Sequence, residues 1–302
     1  MNNTLSSWAL LVLCNLMWAS QFTCIKLVQD QVGPYFTVWA PMLFATIGLF
    51  PFVAKEFRKG KKKLKDILVF GQLALLGAFP AQVLMTWGTQ FSLASNAAVL
   101  SLSLPVVTAI FAFFLLRERM TPLRWISFGI ALVGVGLCSV GDIAQLDFSS
   151  RYTIGNGLIF LAIIGNAYYN TGCKRVATSY SEIEMVFYTY IAMVILLTPL
   201  VFIYESHTFS IIPRFSAQTW AGMLLLTVFH NFLSMVLFFK ALKALDAIQV
   251  ALSNYLITFF GLPIAAIWLG EQLSTLALIG GGLVLLSTLT ITLLEYRVNN
   301  KQ

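Results

Sequence analysis

Charge is scarce in this chain. Its 302 residues hold 19 Lys and Arg, 12 Asp and Glu and 2 His. With 59% hydrophobic residues against 10% charged ones, a soluble domain could not hide its apolar surface. No Asp or Glu lies deep within an apolar run, which argues against a carboxylate-driven proton pump. No His cluster, catalytic dyad or carboxylate pair appears, so an intramembrane enzyme is not expected. Cys14, Cys24, Cys138 and Cys173 all fall inside apolar runs. Their spacing matches neither a zinc site nor a disulfide framework, and they read as buried free thiols. No metal or other cofactor is expected.

What the chain has instead is apolar runs of bilayer-spanning length, about 20 residues. They lie near 6–28, 34–54, 67–89, 94–116, 123–140, 154–173, 183–204, 218–240, 246–269 and 274–295. The expected fold is therefore all-α and integral to a membrane, with ten transmembrane helices. The first run lacks a basic leader and carries Asn15, Gln21 and Lys26, so it is expected to remain part of the structure.

Basic residues set the orientation. Loop 55–66 carries Lys55, Arg58, Lys59, Lys61, Lys62, Lys63 and Lys65. With Arg117, Arg119, Arg124, Lys174, Arg175, Lys240, Lys243, Arg297 and Lys301, one face holds 16 of the 19 basic residues. Both termini are expected on that cytoplasmic face. A basic loop between two spans suits anionic lipid headgroups, and no nucleic-acid partner is expected.

The chain also echoes itself. Leu115–Thr121 resembles Trp268–Ser274, which aligns Glu118 with Glu271 at an offset of 153. The same offset aligns Phe79 with Phe232, Ile126 with Ile279 and Gly129 with Gly282. Earlier in each half the offset is 148, aligning Thr23 with Thr171, Lys26 with Lys174 and Pro51 with Pro199. Five spans per copy is an odd number, so the second copy enters the membrane from the opposite side. The expected architecture is two inverted five-helix repeats, 1–145 and 146–302, with a substrate site between them near the midplane.

The segment Met17 to Phe22 with Lys26, and Pro105 to Glu118 with its counterpart ending Gly270-Glu271-Gln272, resemble the drug/metabolite transporter superfamily, specifically its ten-helix EamA-like branch. The likeness covers essentially the whole chain. Thr258 stands opposite Pro105, and Asn166 opposite Trp18, so the halves have diverged around the cavity. The resemblance implies a secondary transporter in a bacterial inner (plasma) membrane. Its cargo would be a small metabolite, an amino acid or related compound, moved outward. A nucleotide-sugar-like carrier and a lipid-scrambling or structural membrane protein are the alternatives.

Polar groups within the spans are the candidate substrate contacts: Asn15, Trp18, Gln21, Gln82, Trp87, Asn166, Tyr169, Asn170, His230, Asn231, Asn254 and Tyr255. The same amides could instead join helices. His230 lies 12 residues into its run and is the one candidate for a buried proton site. Aromatic rings with amides suit a neutral or zwitterionic cargo. Lys26 and Lys174 are candidate gating charges, with snorkelling as the simpler account. Pro80 and Pro105 are expected to break their helices beside the pathway. Gly129, Gly134 and Gly136, and Gly280, Gly281 and Gly282, fit helix packing at a repeat or homodimer interface. The expected partners are a small-molecule substrate and the bilayer.

Overall fold

A computed structural model describes residues 2–57, 64–118 and 151–270, with scattered positions in 121–133 and 275–290. Most of the expected spans 123–140 and 274–295, together with Glu271, Gly134, Gly136, Gly280, Gly281, Cys138 and the basic tail, lie outside the described residues. Among the described residues the chain is helical with no strands.

The helices are α1 (Asn2–Val28), α2 (Pro34–Phe57), and α3, made of Leu64–Leu73, a π-helical turn Ala74–Ala78 and Phe79–Phe91. Helix α4 runs through Ala94–Leu100, a 3₁₀ turn Ser101–Ser103 and Leu104–Leu116. Then come α5 (Arg151–Val176), α6 (Glu182–Tyr204) and the short α7 (His207–Ile211). Helix α8 comprises Ala217–Leu225, a π segment Leu226–Leu233 and Ser234–Ala244. Helix α9 comprises Ala247–Ser253 and Tyr255–Leu269. Seven of these are long and apolar enough to cross a membrane. Helix α5 is not among the seven, although its 26 residues reach about 39 Å at the usual helical rise. Its Gly, Asn and Tyr content lowers its hydropathy, and packing against α3 and α4 covers it.

The two sequence offsets reappear in the backbone. At 148, α2 begins at Pro34 and α6 at Glu182; α1 ends at Val28 and α5 at Val176. At 153, Ala94–Leu116 matches Ala247–Leu269 at both ends, and Phe91 matches Ala244. Arg117 and Gly270, one residue past these helices, are both left-handed, at φ 58° and 68°. The π segments of α3 and α8 also overlap at this offset. The two units interlock: α1 packs on α8 and α9, and α5 on α3 and α4.

The breaks have local causes. Pro105 has no N–H for the Ser101 carbonyl, and the Leu104 N–H serves it instead, tightening the turn to 3₁₀. At the matching place in α9, the Ile257 N–H donates to Asn254 O at 3.0 Å. Pro80 follows the α3 π turn directly. In α8 the Asn231 side chain donates to Leu226 O at 2.8 Å, and the Tyr190 hydroxyl donates to Asn231 O at 2.8 Å. Those bonds satisfy carbonyls that a wide turn loosens.

Helix ends are capped by side chains from other parts of the chain. The Ala247 N–H at the start of α9 donates to Glu118 Oε1 at 2.9 Å. Buried Glu205 accepts from the Tyr35 and Phe36 N–H groups of α2 at 3.0 and 2.7 Å. Lys26 Nζ donates to Gln90 O at 3.3 Å near the end of α3. Lys174 Nζ donates to Leu242 O at 2.6 Å and also to Leu245 O, near the end of α8. Both lysines thus place positive charge where a helix dipole favours it.

Helices α3 and α5 approach through glycine. A Cβ on Gly88 would lie 2.6 Å from Gly155 O, and one on Gly165 would lie 2.9 Å from Gly77 O. A Cβ at Gly129 or Gly282 would meet nothing within 4 Å among the described residues. Three cysteines, Cys14, Cys24 and Cys173, are free and buried.

Gly88→Ala should therefore cost about 1–3 kcal/mol by overpacking against backbone. Gly71→Ala, with open space at its Cβ, should be neutral or gain up to about 1 kcal/mol from helix propensity. Thermal unfolding in detergent separates the two. A second outcome follows from Glu205. Burial raises its carboxyl above the ordinary glutamate range, while the Phe36 and Tyr35 amides and His207 pull it down. The folded chain holds that proton more tightly than the unfolded chain. Stability from this group therefore falls as pH rises from the ordinary glutamate value through the raised one. Glu205→Gln should flatten that part of the stability profile; an unchanged slope would refute the assignment.

Candidate functional site

A cavity of about 60 Å³ lies where α1, α2, α3, α4, α5, α6, α8 and α9 meet. Its walls hold Trp18, Gln21, Phe22, Met42, Ala78, Ala81, Gln82, Met85, Ser101, Leu104, Ile163, Asn166, Tyr169, Asn170, Thr189, Tyr190, His230, Asn231, Met235 and Ile257. No carboxylate, lysine or arginine is among them.

The duplicated backbone explains the composition of this wall. At the two offsets, Trp18 matches Asn166, Gln21 matches Tyr169, Phe22 matches Asn170 and Met42 matches Tyr190. Ala78 matches Asn231, Gln82 matches Met235 and Leu104 matches Ile257. Both members of every pair face the cavity. Equivalent positions in two copies converge there, as expected of a site between repeats. The chemistry is not equivalent. Trp18, Phe22, Met42 and Ala78 of the first unit face Asn166, Asn170, Tyr190 and Asn231 of the second.

Hydrogen bonds fix several of these groups. The Gln21 amide donates to Gln82 Oε1 at 3.2 Å, joining α1 to α3. The Tyr169 hydroxyl donates to Thr189 Oγ1 at 3.0 Å. The Tyr190 hydroxyl also lies 3.1 Å from Asn231 Oδ1. Two fully buried polar atoms on the wall have no hydrogen-bond partner among the described residues: Trp18 Nε1 and His230 Nδ1. The Trp18 ring rests on Phe238, with centroids 5.0 Å apart.

Eight of the twelve candidate contacts read from the sequence meet at this cavity: Trp18, Gln21, Gln82, Asn166, Tyr169, Asn170, His230 and Asn231. The other four do not. Asn15 donates to Leu11 O at 2.7 Å and Ser253 Oγ at 2.9 Å, tying α1 to α9. Trp87 packs on Tyr35 at 5.4 Å. Asn254 and Tyr255 are buried at the α9 break away from the cavity. Lys26 and Lys174 sit at helix ends, outside the cavity wall. Pro80 faces an apolar crevice on the other side of α3, shared with Leu76, Leu84, Phe111 and Tyr168. Sequence reasoning missed Thr189, Tyr190 and the three methionines, Met42, Met85 and Met235.

Comparison with known proteins bears on the same scaffold. A crystal structure shares this fold at a TM-score of 0.72 and 17% identity, covering 97% of this chain and 98% of that one. A protein of Streptantibioticus cattleyicolor described as a probable terminal-alkyne amino-acid exporter is 27% identical over 91% of this chain and 89% of its own length. An S-adenosylmethionine uptake transporter of Rickettsia conorii is 26% identical over 92% of this chain and 89% of its own. The model of the EamA-like transporter family matches twice, over 6–140 and 153–293. This chain, with its duplicated helices around a charge-free cavity, belongs to the EamA-like transporter family.

Proposed function

We propose that the chain is a secondary transporter that carries a small neutral or zwitterionic metabolite of the amino-acid class outward across a bacterial inner membrane. Its two units, 1–145 and 146–302, act as inverted five-helix repeats with both termini cytoplasmic. They open the shared cavity first to one face and then to the other. The observation that carries this reading is the cavity itself: buried, free of formal charge, and lined by matched positions of both units. At about 60 Å³ it has room for a small cluster of waters, so a metabolite enters only as the units part.

Trp18, Gln21, Gln82, Asn166, Tyr169, Asn170, His230 and Asn231 are the proposed contacts, joined by Tyr190. A cargo donor or acceptor would satisfy Trp18 Nε1 and His230 Nδ1. An unmet buried polar group costs about 1–3 kcal/mol, so cargo that meets it gains affinity. The Met42, Met85 and Met235 side chains supply an adaptable apolar surface. An amino-acid cargo accords with the description of the S. cattleyicolor relative as a probable amino-acid exporter, and so does the outward direction. A nucleotide-sugar-like cargo is disfavoured because no basic side chain lines the cavity. The drive is the cargo gradient or exchange, with His230 as the one imidazole on the cavity wall.

Purified protein in liposomes should exchange labelled amino acids down their gradient. Trp18→Ala or Asn166→Ala should lower the rate about tenfold, the effect of losing roughly 1.4 kcal/mol. Lipid movement without solute flux would instead favour a scramblase. Under an imposed pH gradient, uptake should not become concentrative. Strong concentrative uptake that survives His230→Ala would overturn both the gradient-driven mechanism and the role given to His230.

A further inference from the structure

The central cavity has a small neighbour. A recess of about 10 Å³ lies toward the end where α1 finishes and α2 begins, and Ile25, Thr37 and Thr86 help to line it. Five residues line both spaces: Gln21, Met42, Gln82, His230 and Asn231. They form the partition between recess and cavity, and four helices converge on it. Among the described residues, one hydrogen bond crosses the partition from α1 to α3, from Gln21 Nε2 to Gln82 Oε1 at 3.2 Å.

The opposite end of the cavity is built differently. The positions matching Gln21 and Gln82 are Tyr169 and Met235. Tyr169 bonds Thr189 rather than Met235. The positions matching Ile25, Thr37 and Thr86 are Cys173, Met185 and Phe239, each fully buried in the main apolar core. One end is therefore a thick apolar seal. The other is a thin partition crossed by a neutral amide–amide bond, with Thr37 and Thr86 beside Ile25, Val38 and Leu226 beyond it.

We propose that Gln21 and Gln82 form the gate of the cavity at the Lys26 end, and that solutes of the proposed transporter pass when this bond opens. The pair suits that task chemically. Two neutral amides close a passage without the desolvation cost of a buried ion pair. A zwitterionic or amide-bearing solute can replace each lost bond as it passes, whereas a purely apolar one leaves both amides unmet. The gate rests on the transporter reading for its use, but its test needs no cargo.

In a cysteine-less background, single cysteines are placed at two depths: Asp30→Cys, exposed in the turn that follows α1, and Ala81→Cys in the cavity. A membrane-impermeant thiol reagent is supplied to one face of sealed vesicles at a time. The face from which Asp30→Cys reacts defines the Lys26 end. With both glutamines intact, Ala81→Cys should react slowly from that face. Gln82→Met keeps side-chain length, abolishes the amide bond and installs the residue found at the matching position. It should speed Ala81→Cys labelling about tenfold, the shift expected when one closing interaction is removed. Asp30→Cys labelling and the melting temperature should stay unchanged, which reports an intact fold. Equal labelling of the two cysteines in the native background, or no change with Gln82→Met, would overturn the gate. Should the liposome exchange assay fail while the labelling shift appears, the transport reading falls and the gate stands.

Discussion

The breaks in α4 and α8 are repaired from within the protein, because lipid offers no hydrogen bonds. That constraint organises the rest. The π segment of α8 exposes carbonyls that Asn231 and Tyr190 take up. The Pro105 break in α4 is closed by Leu104. The start of α9 depends on Glu118 of the other unit, and the start of α2 on Glu205. The breaks are repaired inside their own units, and it is the caps on α2 and α9, supplied by the opposite unit, that lock the two units together.

Duplication supplies backbone positions, and divergence supplies chemistry. The matched pairs around the cavity show this most clearly. Met42 and Tyr190 occupy one position in two copies, yet one offers a polarizable apolar surface and the other a hydroxyl bonded to Asn231. Gly77 and His230 are also equivalent. Gly77 must be small because a Cβ there would lie 2.8 Å from the Tyr169 side chain. At His230 the backbone is not so confined, and an imidazole reaches the cavity. Close packing of α3 on α5 thus forbids in the first unit what the second unit uses.

Much of the scaffold was legible in the sequence. Hydropathy located the described spans, and the offsets of 148 and 153 recur in the helix boundaries almost residue for residue. The candidate site was legible only in part, for a physical reason. In a helix surrounded by protein, polarity does not tell which side faces a cavity. Asn15 and Gln21 are both buried polar residues of α1, but Asn15 joins α9 while Gln21 reaches the cavity and Gln82. Met42 and Tyr190 escaped notice because neither is unusual for an apolar span. The signal that could have found them was present: each is the other's counterpart at offset 148, just as Trp18 and Asn166 are.

The two ends of the cavity carry the same backbone design and different closures, and that difference has an energetic consequence. Parting the Lys174 end exposes Cys173, Met185 and Phe239, which are fully buried, along with the ring cluster of Phe70, Tyr180 and Tyr188. Parting the Lys26 end breaks one amide bond and uncovers Ile25, Val38 and Leu226 beside Thr37 and Thr86, next to the apolar cluster of Val28, Val32, Phe36 and Met223. Apolar exposure to water scales with area at about 25 cal/mol per Å², whereas a single neutral hydrogen bond contributes only about 1 kcal/mol net. A perfectly symmetric duplicate would populate its two open states equally. In the proposed transporter both ends carry apolar closures, and they differ by the Gln21–Gln82 bond at the Lys26 end and the ring cluster at the Lys174 end. Cargo that binds better once the Lys174 end has parted is what shifts that balance, since a ligand moves an equilibrium only by its preference between the two states.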